Sequence, residues 1–370
     1  MIQTPRFVNK NKTDFYKVLI QRVDKYFAEN KLSKHADAGM VFKTIVMLAF
    51  YFVPYGIIMS GILPLWAMWL GTVVMGFGLA GIGMSVMHDA NHGAYTSSHR
   101  LNQLIGYSLN LVGGDADNWK IQHNKLHHTY TNIHGFDLDI RENAGLRFTP
   151  GVKHKPFQRF QLFYVFFLYA LQTFFWVFMK DFMQFERFRK SGDDGRDKSA
   201  RTNHLLIMFF TKLIYVLYIL ILPMLVLDIT WWQLLIGFMT MHAVGGFTLA
   251  IVFQLAHVVE GVHFPVPDET GKIENEWAIH QMHTTSNFAP NNKWVSYYVG
   301  GLNYQIEHHL FTRVCHIHYP QIAPIVQQTA KEFGIPYLTY DTLTEAFASH
   351  VSLMGKLGRN EVFQVATDIG

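Results

Sequence analysis

Four long apolar stretches restrict this chain more than any other feature, at about residues 41–60, 64–87, 204–227 and 232–256. A helix needs about 20 consecutive, mostly apolar residues to cross a hydrocarbon layer roughly 30 Å thick, and inside that layer its backbone must satisfy its own hydrogen bonds. The first stretch holds one charged side chain, Lys43, and the second holds none. The stretches come in pairs, separated by an uncharged turn at 61–63 and by Asp228-Ile229-Thr230-Trp231. The expected fold is an all-α integral membrane protein with four transmembrane helices in two hairpins. Residues 1–370 read as a single domain, with a cytoplasmic segment at 1–40 and a cytoplasmic cap made from 88–203 and 257–370.

The orientation follows from charge, because short loops rich in Lys and Arg stay on the cytoplasmic side. The first 40 residues carry eight Lys or Arg, so both ends of the first hairpin are expected there, with the first stretch acting as its own insertion signal. A fifth apolar run, 161–179, has Arg147, Lys153, Lys155 and Arg159 before it and Lys180, Arg187, Arg189 and Lys190 after it. A crossing would export one of these basic clusters. An aromatic-rich helix over about 157–190 is therefore expected to lie in the membrane interface, with a genuine fifth span as the alternative.

A mean hydropathy of only +0.11 argues against a chain that is all membrane. The net charge of +4 comes from clustered basic residues and does not point to nucleic acid. Cys315 is the one cysteine, which excludes an internal disulfide framework or a cysteine metal cluster. Any metal site must use imidazole and carboxylate. The 20 histidines are the anomaly, because many fall in tight groups.

The first group is His88-Asp89-Ala90-Asn91-His92, at the end of the second apolar stretch. Histidines four apart share one helical face, with Cβ atoms about 5–6 Å apart, so both can reach one metal. The second group, His123-Asn124-Lys125-Leu126-His127-His128, adds an adjacent histidine to such a pair. Neighbours on an α-helix diverge by about 100°, so His127 and His128 suit two neighbouring metals. The third group, Gln305-Ile306-Glu307-His308-His309, repeats the doublet. Seven histidines exceed the four ligands of a structural zinc. Imidazole suits iron, copper, nickel and zinc alike, but the doublets in a hydrophobic membrane setting favour a pair of irons.

H-D-A-N-H and H-N-K-L-H-H between the two apolar pairs, followed by Q-I-E-H-H after the second pair, resemble the three histidine boxes of membrane fatty acid desaturases. G-G-L-N-Y-Q-I-E-H-H-L-F at 300–311 is similar to the front-end branch, which takes acyl-CoA or acyl-lipid substrates; Thr312 stands where the family usually has proline. The branch often carries a fused cytochrome b5-like domain, and no H-P-G-G haem motif is present here. The resemblance implies oxygen-dependent desaturation of a fatty acyl chain at two iron ions, with O2 as co-substrate. It also implies metal ligands at His88, His92, His123, His127, His128, His308 and His309, and an eighth at His257 from the last membrane helix. Gln254, one turn earlier, is expected to act through a bound water, and Gln305 as a weak ligand or a nearby hydrogen-bond donor.

Among the carboxylates, Asp89, Asp137, Asp139, Glu260 and Glu307 are candidates to accept the second N–H of ligating rings. Trp119 and Trp277 are candidates for an acyl tunnel or for interfacial anchors. No catalytic acid, base or nucleophile is expected beyond the metal ligands. The implied partners are a fatty acyl substrate, membrane lipid, and an external electron carrier of ferredoxin or cytochrome b5 type with its reductase. An acyl hydroxylase or carotenoid-type oxygenase on the same scaffold is the near alternative. A non-catalytic metal-binding membrane protein or transporter is the distant one.

Overall fold

The computed structural model describes residues 4–8, 13–140 and 145–361. These are mostly helical, with two short parallel strand pairs, Arg6–Phe7 beside Lys272–Ile273 and Asn287–Phe288 beside Thr339–Tyr340. Four helices are long and apolar enough to cross a membrane: Ala38–Met59, Leu65–Asn91, Lys198–Val226 and Trp231–His257. Two of them begin at aspartate caps. Asp37 accepts from the Met40 N–H and Asp197 from the Ala200 N–H, both at 2.8 Å, so each takes one of the amides a helix start leaves unpaired.

The 161–179 run does not form one helix. It folds as Pro156–Ala170 and Gln172–Ser191, bent by 59° about Leu171. The Trp231–His257 helix comes up against that break at Gly246, where a Cβ would lie 2.9 Å from the carbonyl oxygens of Tyr169 and Ala170. The Thr173 hydroxyl fixes the approach by donating to the His242 carbonyl at 2.8 Å.

The described residues form two compact units. One is drawn from Ala36–Ile121 and Phe166–Ile251; the other is drawn from the residues up to His35, from Gln122–Val165 and from Val252 onward. In the first unit, small residues let helices meet closely, as in membrane interfaces generally. A Cβ on Gly78 would fall 2.6 Å from the Tyr51 nitrogen, and one on Gly76 would fall 2.7 Å from the Met241 oxygen. The same unit buries an ion pair, Lys212 to Asp181 at 2.7 Å. The Lys212 ammonium spends its other donors on the carbonyls of Gly113 and Val177, and Trp176 Nε1 donates to Asp181.

The second unit takes up much of the N-terminal segment. Helix Phe15–Glu29 places Phe15, Leu19, Val23 and Phe27 at four-residue intervals, all buried on one face. They share a core with Ile322, Val326 and Ala330 of the Tyr319–Glu332 helix, with Ile306 of the third histidine group and with Leu310 just after it. The final helix, Leu343–Arg359, opens with a Thr342/Glu345 capping box. His350 Nδ1 ties it down by donating to the Val258 carbonyl at 2.7 Å.

Candidate metal centre

The second histidine group departs from the α-helical period. Ile121–His127 is a π-helical segment, in which residues five apart come into line. His123 therefore meets His128, Nε2 to Nε2 at 3.1 Å, and the His127 ring turns away, its plane at 73° to that of His128. Two sets of buried ring nitrogens result. His127, His257 and His309 form one, His128, His308 and His309 the other, and within each set the nearest nitrogens lie within 4.8 Å of one another. His309 belongs to both sets, and its ring centroid stands 5.1 Å from that of His127 and 4.3 Å from that of His128.

Groups behind the rings fix their orientation. His127 Nδ1–H donates to Asp137 at 3.0 Å, and Asp137 is held by the backbone amides of Asn132 and Asp139, both at 2.9 Å. His309 Nδ1–H donates to Gln281 Oε1 at 2.7 Å, with the Thr131 hydroxyl at 3.3 Å. His257 Nδ1–H points to the Thr284 carbonyl at 3.4 Å, and His308 Nδ1 to the Tyr319 hydroxyl at 3.2 Å. With Nδ1 committed in this way, Nε2 of His127 and of His309 is buried and has no hydrogen-bond partner among the described residues. Leaving a buried polar atom unpaired costs about 1–3 kcal/mol, and neutral imidazole nitrogens aimed into one space are what a transition metal satisfies. The donor set fits iron.

For His309, electrostatics agree. Burial first, then the neighbouring rings of His128, His257, His127 and His308, push the His309 pKa well below its ordinary value, keeping it in the neutral, ligating form. Burial would lower His127 as well, but the charge and hydrogen bond of Asp137 reverse the sign and raise it. Burial lifts Glu307 to about 7 against the bonds it accepts from Asn287 and Tyr337, at 2.8 and 2.9 Å.

Gln305 Nε2 lies 2.9 Å from His257 Nε2, while Gln305 Oε1 and Gln254 Oε1 are buried without hydrogen-bond partners among the described residues. In the membrane-helix unit, the His88 and His92 rings meet edge to face at 4.7 Å, and Trp119 packs edge-on against both, at 5.5 and 5.6 Å. Asp89 sits 3.9 Å from His88 Nδ1. Two carboxylates differ from expectation. Glu307 braces the third group against Asn287 and Tyr337 instead of meeting a ring. Glu260, joined to Ser352 and Lys356, fastens the final helix.

Sequence reasoning passed over Gln281, Thr131 and Asn132. Gln281 also donates to the His128 carbonyl at 3.2 Å, and Asn132 donates to the His257 carbonyl at 2.9 Å. Trp277, considered above as a tunnel or anchor residue, donates through Nε1 to the His128 carbonyl at 2.9 Å. His280 donates to the Thr131 carbonyl at 2.8 Å and is kept neutral, its pKa lowered to about 3 by burial. The Trp277–Thr284 helix thus supports the second group from behind; its sequence signal is the mostly polar run Gln281 to Asn287.

Membrane-length helices together with a buried polyimidazole cluster define an integral membrane protein with a candidate metal centre. The profile of the family described as "Fatty acid desaturase" matches residues 64–341, and this chain belongs to that family. It is an oxidoreductase that desaturates fatty acyl chains, with the di-iron chemistry the family implies. Among its relatives, the chain is 35% identical to an sn-1 linoleoyl-lipid 6-desaturase of Synechocystis sp., covering 97% of this chain and 99% of that one. It is also 35% identical to the sn-1 linoleoyl-lipid 6-desaturase of Arthrospira platensis, over 94% and 93% of the two chains. An acyl-lipid (8-3)-desaturase of Physcomitrium patens is 36% identical over 97% of this chain and 74% of its own length.

Proposed function

We propose that this protein is a single-domain acyl-lipid desaturase whose substrate is a fatty acyl group esterified in membrane lipid, with the new double bond placed on the carboxyl side of an existing one. The observation that carries the reading is its near full-length similarity to two proteins named linoleoyl-lipid 6-desaturases, with all three histidine groups intact. The proposed iron ligands are His88, His92, His123, His127, His128, His257, His308 and His309. Gln305, 2.9 Å from His257, is proposed as a weak ligand or donor and Gln254 to act through a bound water, with Asp89 near His88 and Glu307 bracing the third group. The basic flanks support two hairpins with the N-terminus, the histidine groups and the C-terminus on the cytoplasmic side.

Two iron ions, when bound, supply oxygen activation strong enough to remove hydrogen from an unactivated methylene, with two electrons drawn from an external carrier. The residues of this chain do the rest. Asp137 and Gln281 hold the Nδ1 protons of His127 and His309, so the Nε2 lone pairs stay directed into the centre. Burial of the rings keeps water and its protons away. Holding one pair of acyl carbons in place fixes the position of attack, and such orientation removes several kcal/mol of barrier, up to about 7–11 in well-aligned systems.

The test is turnover by reconstituted enzyme, with reductase and carrier, on linoleoyl-phosphatidylcholine against linoleoyl-CoA. Desaturation of the lipid-bound chain, located toward the carboxyl end by mass spectrometry, is the expected result. Exclusive use of the coenzyme A ester would overturn the substrate assignment.

A further inference from the structure

A cleft of about 410 Å³ lies in the membrane-helix unit, at the ends of the helices joined by the turns near 60–64 and 228–230. Its lining includes Trp66, Trp69, Thr72, Ile219, Leu234 and Gly237, and is almost entirely carbon. Along the Leu65–Asn91 helix, a rise of 1.5 Å per residue puts Trp66 about 33 Å and Met75 about 20 Å from His88. The cleft therefore stands at the opposite end of the membrane helices from the first histidine group, too far to position a reacting carbon there.

We propose that this cleft binds one acyl chain of a bilayer phospholipid, from the leaflet on the side of these turns, as a site separate from the catalytic one. Apart from Leu227 and Ile229 in the turn, the lining belongs to the four membrane-length helices, so the medium around it is hydrocarbon. Water does not fill an apolar hollow that offers it no polar partners. The volume lies within the roughly 300–1,000 Å³ of sites that hold small ligands. Trp66 and Trp232, 66% and 48% exposed, stand in the first turns of their helices, where indoles anchor at headgroup depth beside a chain entering from the interface. Trp69 Nε1 is already committed to Thr240 at 3.0 Å, which leaves its ring face as apolar wall.

The site is tested with delipidated full-length protein in detergent, titrated with phosphatidylcholine carrying brominated acyl chains that quench tryptophan fluorescence on contact. Wild type is expected to show a saturable loss of signal, reduced in Trp69→Phe. Gly237 lines the cleft, so Gly237→Leu puts a side chain into it, with Thr72 Cγ2, 3.1 Å from the new Cβ, yielding slightly. This variant is expected to weaken saturable quenching at least tenfold while keeping wild-type desaturation and product pattern. Thr72→Leu gives the same reading if the first variant does not fold. Non-saturating quenching equal in all forms would mean a general lipid coat and overturn the proposal. So would saturable quenching that survives both filled variants. Folded, filled variants with lost activity or altered products would assign the cleft to the substrate chain instead. Because quenching is read without turnover, its failure is distinct from failure of the acyl-lipid substrate assignment.

Discussion

Replacing Gln281 by alanine removes the acceptor for the His309 Nδ1–H, at 2.7 Å, and the donor to the His128 carbonyl, at 3.2 Å. His309 serves both sets of ring nitrogens, so a freed ring disturbs both. The side chain is wholly buried, and no water replaces the bond from outside. Partners behind metal-bound histidines are worth about 10–100-fold in metal affinity or activity. That range equals about 1.4–2.7 kcal/mol. The Thr131 hydroxyl, 3.3 Å from Nδ1, is a fallback acceptor and places the expected loss in the lower half of the range. The assay is iron retained per chain across a chelator series, measured beside turnover. Gln281→Ala should release iron at lower chelator concentration and turn over more slowly, while Gln281→Glu, which keeps an acceptor, should recover most of both. Wild-type iron retention and turnover in the alanine variant would refute the claim that Gln281 orients His309.

His309→Ala, which takes a ring from both sets, and His128→Ala should each abolish desaturation and lower iron content while leaving the protein inserted in the membrane; near-normal turnover in either would contradict the ligand assignment. Lys212→Met strands Asp181 and two carbonyls, and breaking a buried pair on one side costs about 3–5 kcal/mol. Thermal unfolding in detergent should fall sharply in that variant and recover in part in Lys212→Met/Asp181→Leu, whereas equal stability of all three forms would remove the pair from the account. Purified enzyme with oxygen and substrate alone should be inactive until a reduced carrier protein is added, and rising salt should weaken that activity if basic residues guide docking. Sustained turnover without a donor would exclude the oxygen-dependent reaction, and salt-independent turnover would remove only the docking term.

The four membrane helices were legible because an apolar run of about 20 residues has few other uses. The structure returns them within a few residues, extending the third back to its Asp197 cap. The histidine groups were legible as groups, but the pairing inside the second was not. Spacing alone suggests His123 with His127, whereas the π-helical segment lines up His123 with His128 and frees His127 to face His257 and His309. A single inserted residue in the helical repeat leaves no mark in composition. Gln281 and Asn132 were equally hidden, since their roles depend on contacts across 28 and 125 positions. The N-terminal helix escaped notice because its apolar face, Phe15, Leu19, Val23 and Phe27, is diluted by the basic residues that dominated the charge argument. The flanking charges of the 161–179 run say nothing of its break at Leu171, which lies where Gly246 of a helix distant in sequence packs closely.

The most direct measurement is expression of the chain in a host with a defined fatty acid supply, followed by mass spectrometric location of any new double bond in its lipids. The account predicts a new unsaturated chain, with the double bond on the carboxyl side of an existing one, absent from cells expressing His309→Ala. A hydroxylated chain in its place, or a lipid profile identical to that of the His309→Ala control, would contradict it.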